Sequence, residues 1–255
     1  MNIKMQKISA ANRKFFLEWL PFNFCDRFCE RCEEFQDDCK IYQDDVNFKV
    51  KCQIEGKDSH DMKVIFEHVA ETMTQTMKLV QEMIKKEGVK ITKEDEKRAD
   101  KFERAAAAAV VKNMLFKKCR LISRKFARFF ENFSYPLCNE QVLLYLYNEM
   151  QELCFYCHLI FVKAARALHS RIEEKKDKDD FSRPDPLVSA ALGYYSLLVC
   201  KRSIEVILNL IGHGAIQAKQ IVKIIKLAEE AKSEFEKAFP GVTEFRDKII
   251  FHGKV

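Results

Sequence analysis

Glycine and proline are scarce, at seven and five of 255 residues. An all-β chain needs many turns, and turns draw on both residue types, so the shortage argues against a sandwich or barrel. No apolar run reaches the roughly 18 residues of a membrane span. Neither a strand–helix alternation nor an internal repeat is visible, which removes the doubly wound and solenoid classes. The first residues carry charges but no apolar stretch leading to a small-residue cleavage site. We therefore expect no signal peptide and a cytoplasmic protein. Charge of one sign is also lacking. Lys plus Arg number 44 against 38 Asp plus Glu, a net +6 that permits nucleic acid without implying it.

What is present is apolar and periodic. Hydrophobic residues make up 47% and phenylalanine alone occurs 21 times, enough for a buried core and too much for a disordered chain. Met62, Ile65, Phe66, Val69, Met73, Met77, Val80 and Ile84 step by three and four, which predicts an amphipathic helix over 60–87. Asp58 or Ser59 would cap its start and Gly88 would end it. Thr92 with Asp95 spells a capping box for a second long helix running towards Phe130 and stopped by Ser134-Tyr135-Pro136. A third helix is expected over 139–172, then a charged linker over 173–180 and Arg183-Pro184-Asp185-Pro186. A fourth is expected over 187–211, ended by Gly212-His213-Gly214. A fifth is expected over 215–239, ended by Pro240-Gly241, with a short helix in the tail. The fold class expected is all-α: an antiparallel bundle of four to five long helices over 56–255, with a small cysteine-rich lobe over 1–55.

Ten cysteines in a reducing compartment do not suggest a disulfide framework. Cys119, Cys138, Cys154, Cys157 and Cys200 are scattered among apolar residues, where a thiol behaves as a small hydrophobe. Cys25, Cys29, Cys32 and Cys39 instead fall within fifteen positions, in the pattern C-x3-C-x2-C-x6-C. The spacing of the first three also fits one helical stripe, but four cysteines so close are hard to reach by packing alone. Thiolates bind soft and borderline metals, and four can complete a site. A [4Fe–4S] cluster is preferred to zinc, because i, i+4 neighbours are about 5–6 Å apart and suit a bulky cubane. Phe22, Phe24, Phe28 and Phe35 would exclude water from it. Arg27, Arg31 and Lys40 would offset its charge, while Asp26, Glu30, Glu33, Glu34, Asp37 and Asp38 are expected on the solvated face. Such a centre would be structural, or would carry an electron to a redox partner. The first three cysteines also match the spacing of radical S-adenosylmethionine enzymes. Cys39 would close the open iron those enzymes need, and no barrel pattern follows.

Four further groups bear on function. Cys154, Cys157 and His158 spell C-x-x-C-H, the haem attachment motif, inside a periodic helix, and are read as a secondary polar site or as core residues. Glu67, His68 and Glu71 share about one helical turn, but the paired Glu-x-x-His motifs of di-iron bundles are absent, so a solvated face is expected. Lys112, Lys117, Lys118, Arg120, Arg124, Lys125 and Arg128 make the second helix basic, a surface that could meet the phosphates of a nucleic acid. In the tail, Arg246 and His252 stand six residues apart.

Two resemblances follow from these residues. Trp19-Leu20-Pro21-Phe22 followed by Cys25 to Cys39, and more loosely Tyr156–Leu168 and Lys201-Arg202-Ser203, resembles a group of uncharacterised bacterial helical proteins. That resemblance implies an architecture and no activity. The stretch from Phe245 to His252 resembles the Arg-x(4–6)-His signature of HEPN helical ribonuclease domains. It implies that Arg246 and His252 act on RNA, each together with its counterpart from a second subunit. An oligomer is compatible with either reading, and no membrane partner is expected.

Overall fold

The computed structural model describes residues 25–32, 36, 39–133, 139–176, 185–212 and 218–255. Among these the fold is all-α, with seven α-helices: α1 Lys40–Ile54, α2 Met62–Lys86, α3 Lys93–Lys112, α4 Met114–Asn132, α5 Glu140–Lys176, α6 Asp185–Ile211 and α7 Ala218–Ala238. Two 3-10 segments, Cys29–Arg31 and Val242–Lys248, complete it. None of the helices among the described residues is long and apolar enough to cross a membrane.

The chain groups into two compact units. The first takes Met1–Arg31 and Ala105–Val255, and the second takes Cys32–Arg104, between the two parts of the first. The boundary expected after residue 55 falls inside the second unit.

The first unit is a helical bundle built around α6. From Val188 to Cys200 almost every side chain of α6 is buried, the pattern of a helix surrounded on all sides. α5 runs antiparallel to it: Arg202 meets Glu149 at one level, and the Cys200 thiol faces the Leu153 carbonyl at the next. α7 is antiparallel to α6 as well. Lys201 pairs with Glu229 at 2.9 Å, and the Tyr194 hydroxyl donates to Glu236 at 2.9 Å. α7 turns Ile221, Ile224, Ala228, Ala231 and Phe235 inward, a three- and four-residue step. α4 buries Leu115, Cys119, Ile122, Phe126 and Phe129, and its Ser123 hydroxyl donates to the Cys157 carbonyl of α5 at 2.7 Å.

The second helix of the sequence analysis is two helices. Asn113 takes an extended conformation (φ −66°, ψ 138°) and its side chain accepts from the Leu115 N–H, capping α4. Apolar periodicity runs through the break, and neither glycine nor proline marks it; the cap chemistry of a single asparagine makes it.

In the second unit the capping box forms as the sequence predicts. The Thr92 N–H donates to Asp95 Oδ2 at 3.0 Å and the Asp95 N–H donates to Thr92 Oγ1 at 3.2 Å. Gly88 ends α2 in the left-handed region (φ 66°), with the Val89 N–H on the Ile84 carbonyl at 3.1 Å. The start of α2 differs from expectation. Asp61 is the cap, accepting from Lys63 N–H at 2.8 Å, while Asp58 accepts from His60 N–H in the turn before it. α1 was not expected inside the cysteine-rich lobe.

Candidate functional site

Asp26 lies at the centre of the site, and the sequence placed it in solvent. It is 1% exposed. Burial of a carboxylate without partners is costly, and here every lone-pair direction is used. Oδ1 accepts from the Phe28 N–H at 3.1 Å, a local turn, and lies 2.8 Å from His252 Nδ1. Oδ2 accepts from the Tyr156 hydroxyl at 2.6 Å and from the His252 N–H at 2.7 Å. The Asp26 N–H donates to the Ile250 carbonyl at 3.0 Å, beside an isolated parallel bridge of Cys25 with Ile250. Burial alone would raise the Asp26 pKa. The His252 hydrogen bond and charge, the Tyr156 hydroxyl and the His252 N–H outweigh it and hold the carboxyl below its usual value. Burial and the neighbouring Asp26 carboxylate push the Tyr156 hydroxyl strongly up, so it stays a donor.

The tail reaches Asp26 because Val242–Lys248 is a 3-10 segment and the chain after it is extended. Arg246 and His252 therefore do not share the short helix expected in the tail. They are linked another way: the Arg246 guanidinium donates to the Phe251 carbonyl at 2.9 Å, on the peptide that leads into His252. It also lies over the rings of Phe251 and Tyr195, at 5.1 and 5.6 Å from their centroids. Gly253 follows. A Cβ there would stand 2.6 Å from Val199 Cγ2 and 2.9 Å from Tyr156 Cζ, so close packing requires glycine at this position.

Aromatic rings surround the polar centre. Phe28 stacks on Phe155 at 4.1 Å, and Tyr156 meets Phe251 at 5.0 Å. Along the same face of α5, Glu149, Glu152 and Tyr156 follow at steps of three and four. Glu149 is 2% exposed and takes a two-pronged contact from Arg202, at 2.9 and 3.0 Å. Glu152, 1% exposed, pairs with Arg31, whose guanidinium also covers the Phe28 ring at 4.2 Å. Glu152 Oε2 has no hydrogen-bond partner among the described residues. Sequence reading missed this buried row. The glutamates sit in a helical stretch that reads as ordinary, and their partners lie 53 and 121 positions away.

The predicted residues divide. Cys25 and Cys29 are half-buried in the first unit; Cys32, buried, and Cys39, half-buried, belong to the second; all four are unbridged thiols. Cys39 stands at the N-cap position of α1 without a side-chain capping bond. The Cys25 sulfur accepts from the Arg27 N–H at 3.2 Å, with Arg27 itself left-handed at φ 62°. Within the first unit, no three described Cys, His, Asp or Glu side chains bring ligand atoms within 4.8 Å of one another. Phe22, Phe24, Phe35 and Cys138 lie outside the described residues.

The Cys154, Cys157 and His158 group is not one site. Cys154 and His158 are exposed, while Cys157 is turned into the core and burial pushes its thiol up to about 12. Cys119 and Cys200 are buried apolar thiols, raised strongly by burial. Glu67 is exposed, His68 stacks on Phe48 at 4.2 Å, and Glu71 faces Lys51 at 3.4 Å. That arrangement fits the solvated face expected of them.

No known protein family, curated protein or solved structure matches the chain.

Proposed function

We propose that this chain cleaves RNA, with Arg246 and His252 as the groups that meet the reacting phosphodiester. The observation that carries the reading is the 2.8 Å contact of His252 Nδ1 with the buried Asp26 carboxylate. A carboxylate on one imidazole nitrogen fixes the ring and favours the charged form when the other nitrogen takes a proton. Proton exchange with substrate then falls to Nε2. His252 removes the proton of a ribose 2′-hydroxyl; the 2′-oxygen bonds to phosphorus as the bond to the 5′-oxygen breaks. The leaving oxygen takes a proton from water, and the imidazolium returns its own to solvent. The products are a 2′,3′-cyclic phosphate and a 5′-hydroxyl. Arg246 spends one of five N–H donors on the Phe251 carbonyl, and the others can stabilise the pentavalent oxyanion. Asp26 is a positioning residue in this scheme.

His252→Ala should lower cleavage of a single-stranded RNA by about 10²–10⁴-fold, the worth of a positioned general base. The check is single-turnover cleavage on a denaturing gel across pH, with circular dichroism to confirm the fold. A wild-type protein without cleavage at any pH between 5 and 9 ends the proposal.

A second reading keeps the four thiols as a [4Fe–4S] or zinc centre with a structural or redox role. It is supported by the spacing and by the unbridged state of Cys25, Cys29, Cys32 and Cys39. We expect near-stoichiometric iron and sulfide, or zinc, in protein purified without oxygen. Trace amounts of all three would remove it.

A further inference from the structure

We infer that an exposed row on α4, Lys117, Arg120, Arg124 and Arg128, is the docking surface for the phosphate backbone of single-stranded RNA. The inference rests on the cleavage reading and assigns that reaction its substrate-holding surface.

The row is a property of the helix register. Steps of three, four and four put the four side chains on one face, opposite the buried Leu115, Cys119, Ile122, Phe126 and Phe129. All four are exposed. The eleven helical steps from Lys117 to Arg128 span about 16 Å, a length that several consecutive phosphates of an extended strand can follow.

The row is also electrostatically unspent. Lys118, one position away and pointing elsewhere, lies 3.5 and 3.6 Å from Glu230 and Glu234. Lys201, Lys232 and Lys237 likewise sit against carboxylates. Among the described residues none of the four in the row forms an ion pair. Like charges held at helical spacing repel, and no described carboxylate pairs with any of the four.

The helix dipole gives no alternative account. Cations are favoured at a helix C-terminus and disfavoured at the N-terminus. The last turn of α4 holds no basic residue, whereas Lys117 stands in the first turn. The charges track one face instead of one end.

The kind of partner follows from what accompanies the charges. A protein interface sets an apolar centre with aromatic anchors inside a polar rim. This face offers Leu121, 44% exposed, with Met114, 55% exposed, at its N-terminal edge, and no exposed aromatic ring. Evenly spaced guanidinium groups without an apolar centre suit a regular polyanion, where affinity comes from released counterions.

The test is fluorescence anisotropy of a labelled 20-nucleotide single-stranded RNA with the full chain, from 50 to 300 mM salt. Four phosphate contacts predict a log–log salt slope of about −2.8 for a single strand. Arg120→Glu with Arg124→Glu should weaken binding at least tenfold and flatten the slope by about 1.4. The neutral pair, Arg120→Gln with Arg124→Gln, should fall between. Melting curves of both variants show whether the fold survives, and the exposed positions predict that it does.

Unchanged binding by the folded variants overturns the inference, and so does a wild type that fails to bind at 50 mM salt. Equal competition by polyglutamate at matched charge also overturns it, in favour of an acidic protein partner. The two proposals separate cleanly. In a His252→Ala background, where cleavage is gone, the charge-reversed row should still weaken binding at least tenfold. Row-dependent binding without cleavage leaves the docking surface standing and removes the catalytic reading. Cleavage and binding that ignore the row do the reverse.

Discussion

Asp26→Ala destabilises the protein by about 3–5 kcal/mol, the usual effect of leaving one half of a buried charged pair without the other. The substitution removes the acceptor of the Tyr156 hydroxyl, the His252 N–H, the His252 ring and the Phe28 N–H together. Tyr156 is fully buried, so its hydroxyl would find neither protein nor solvent in exchange. Urea titration followed by far-ultraviolet circular dichroism measures the loss. A change under 1 kcal/mol would mean that the tail is held by its apolar contacts alone. Asp26→Asn is milder, since the amide oxygen still accepts, and it exposes the acid dependence. The folded Asp26 pKa is lowered, so the stability it contributes is complete above the unfolded value of about 3.9 and is lost as pH falls through the folded value. Wild-type stability should therefore decline below about pH 4 more steeply than that of Asp26→Asn.

Arg202→Ala has the second large effect. Glu149 is 2% exposed and its charge is met by both prongs of the guanidinium. Losing the cation leaves a carboxylate in the core between α5 and α6. Arg202 keeps 30% exposure, so water enters in part and the expected loss is about 3 kcal/mol, at the lower end for a broken buried pair. Arg202→Lys should not rescue it fully, because an ammonium cannot reproduce the two-pronged contact. Replacing both partners, Glu149→Met with Arg202→Met, should return most of the stability, since two apolar side chains need no counter-charge. A double variant as unstable as the single one would show that the pair matters through shape and not through charge.

Much of the helical frame was legible. The Met62 to Ile84 stripe, the Thr92 and Asp95 box, and Gly88 are local chemistry, and local chemistry is written within four residues. The break at Asn113 was harder to read, because a capping asparagine looks the same as a surface one until the helix beyond it is seen. The candidate site was legible in its members and not in its geometry. Arg246 and His252 were singled out by spacing, but their shared helix is a 3-10 segment followed by extended chain. Asp26 was assigned to solvent because a carboxylate would add to the negative charge of a four-thiolate centre; what buries it is a partner 226 positions away. The glutamates of α5 were invisible for the same reason. Helical periodicity reports which face is apolar, and a few buried charges on that face do not disturb the pattern.

The distance along the chain between Asp26 and His252 has a kinetic consequence. At about 5–20 residues per second on the ribosome, roughly 10–45 s separate synthesis of the two. Throughout that interval the early segment has no native mate, and the contact can close only after seven α-helices have been made between them. Pairings of such long sequence separation are slow to form. The polar knot is then the final stitch of folding, and a protease or chaperone that meets the nascent polypeptide meets it with that seam still open.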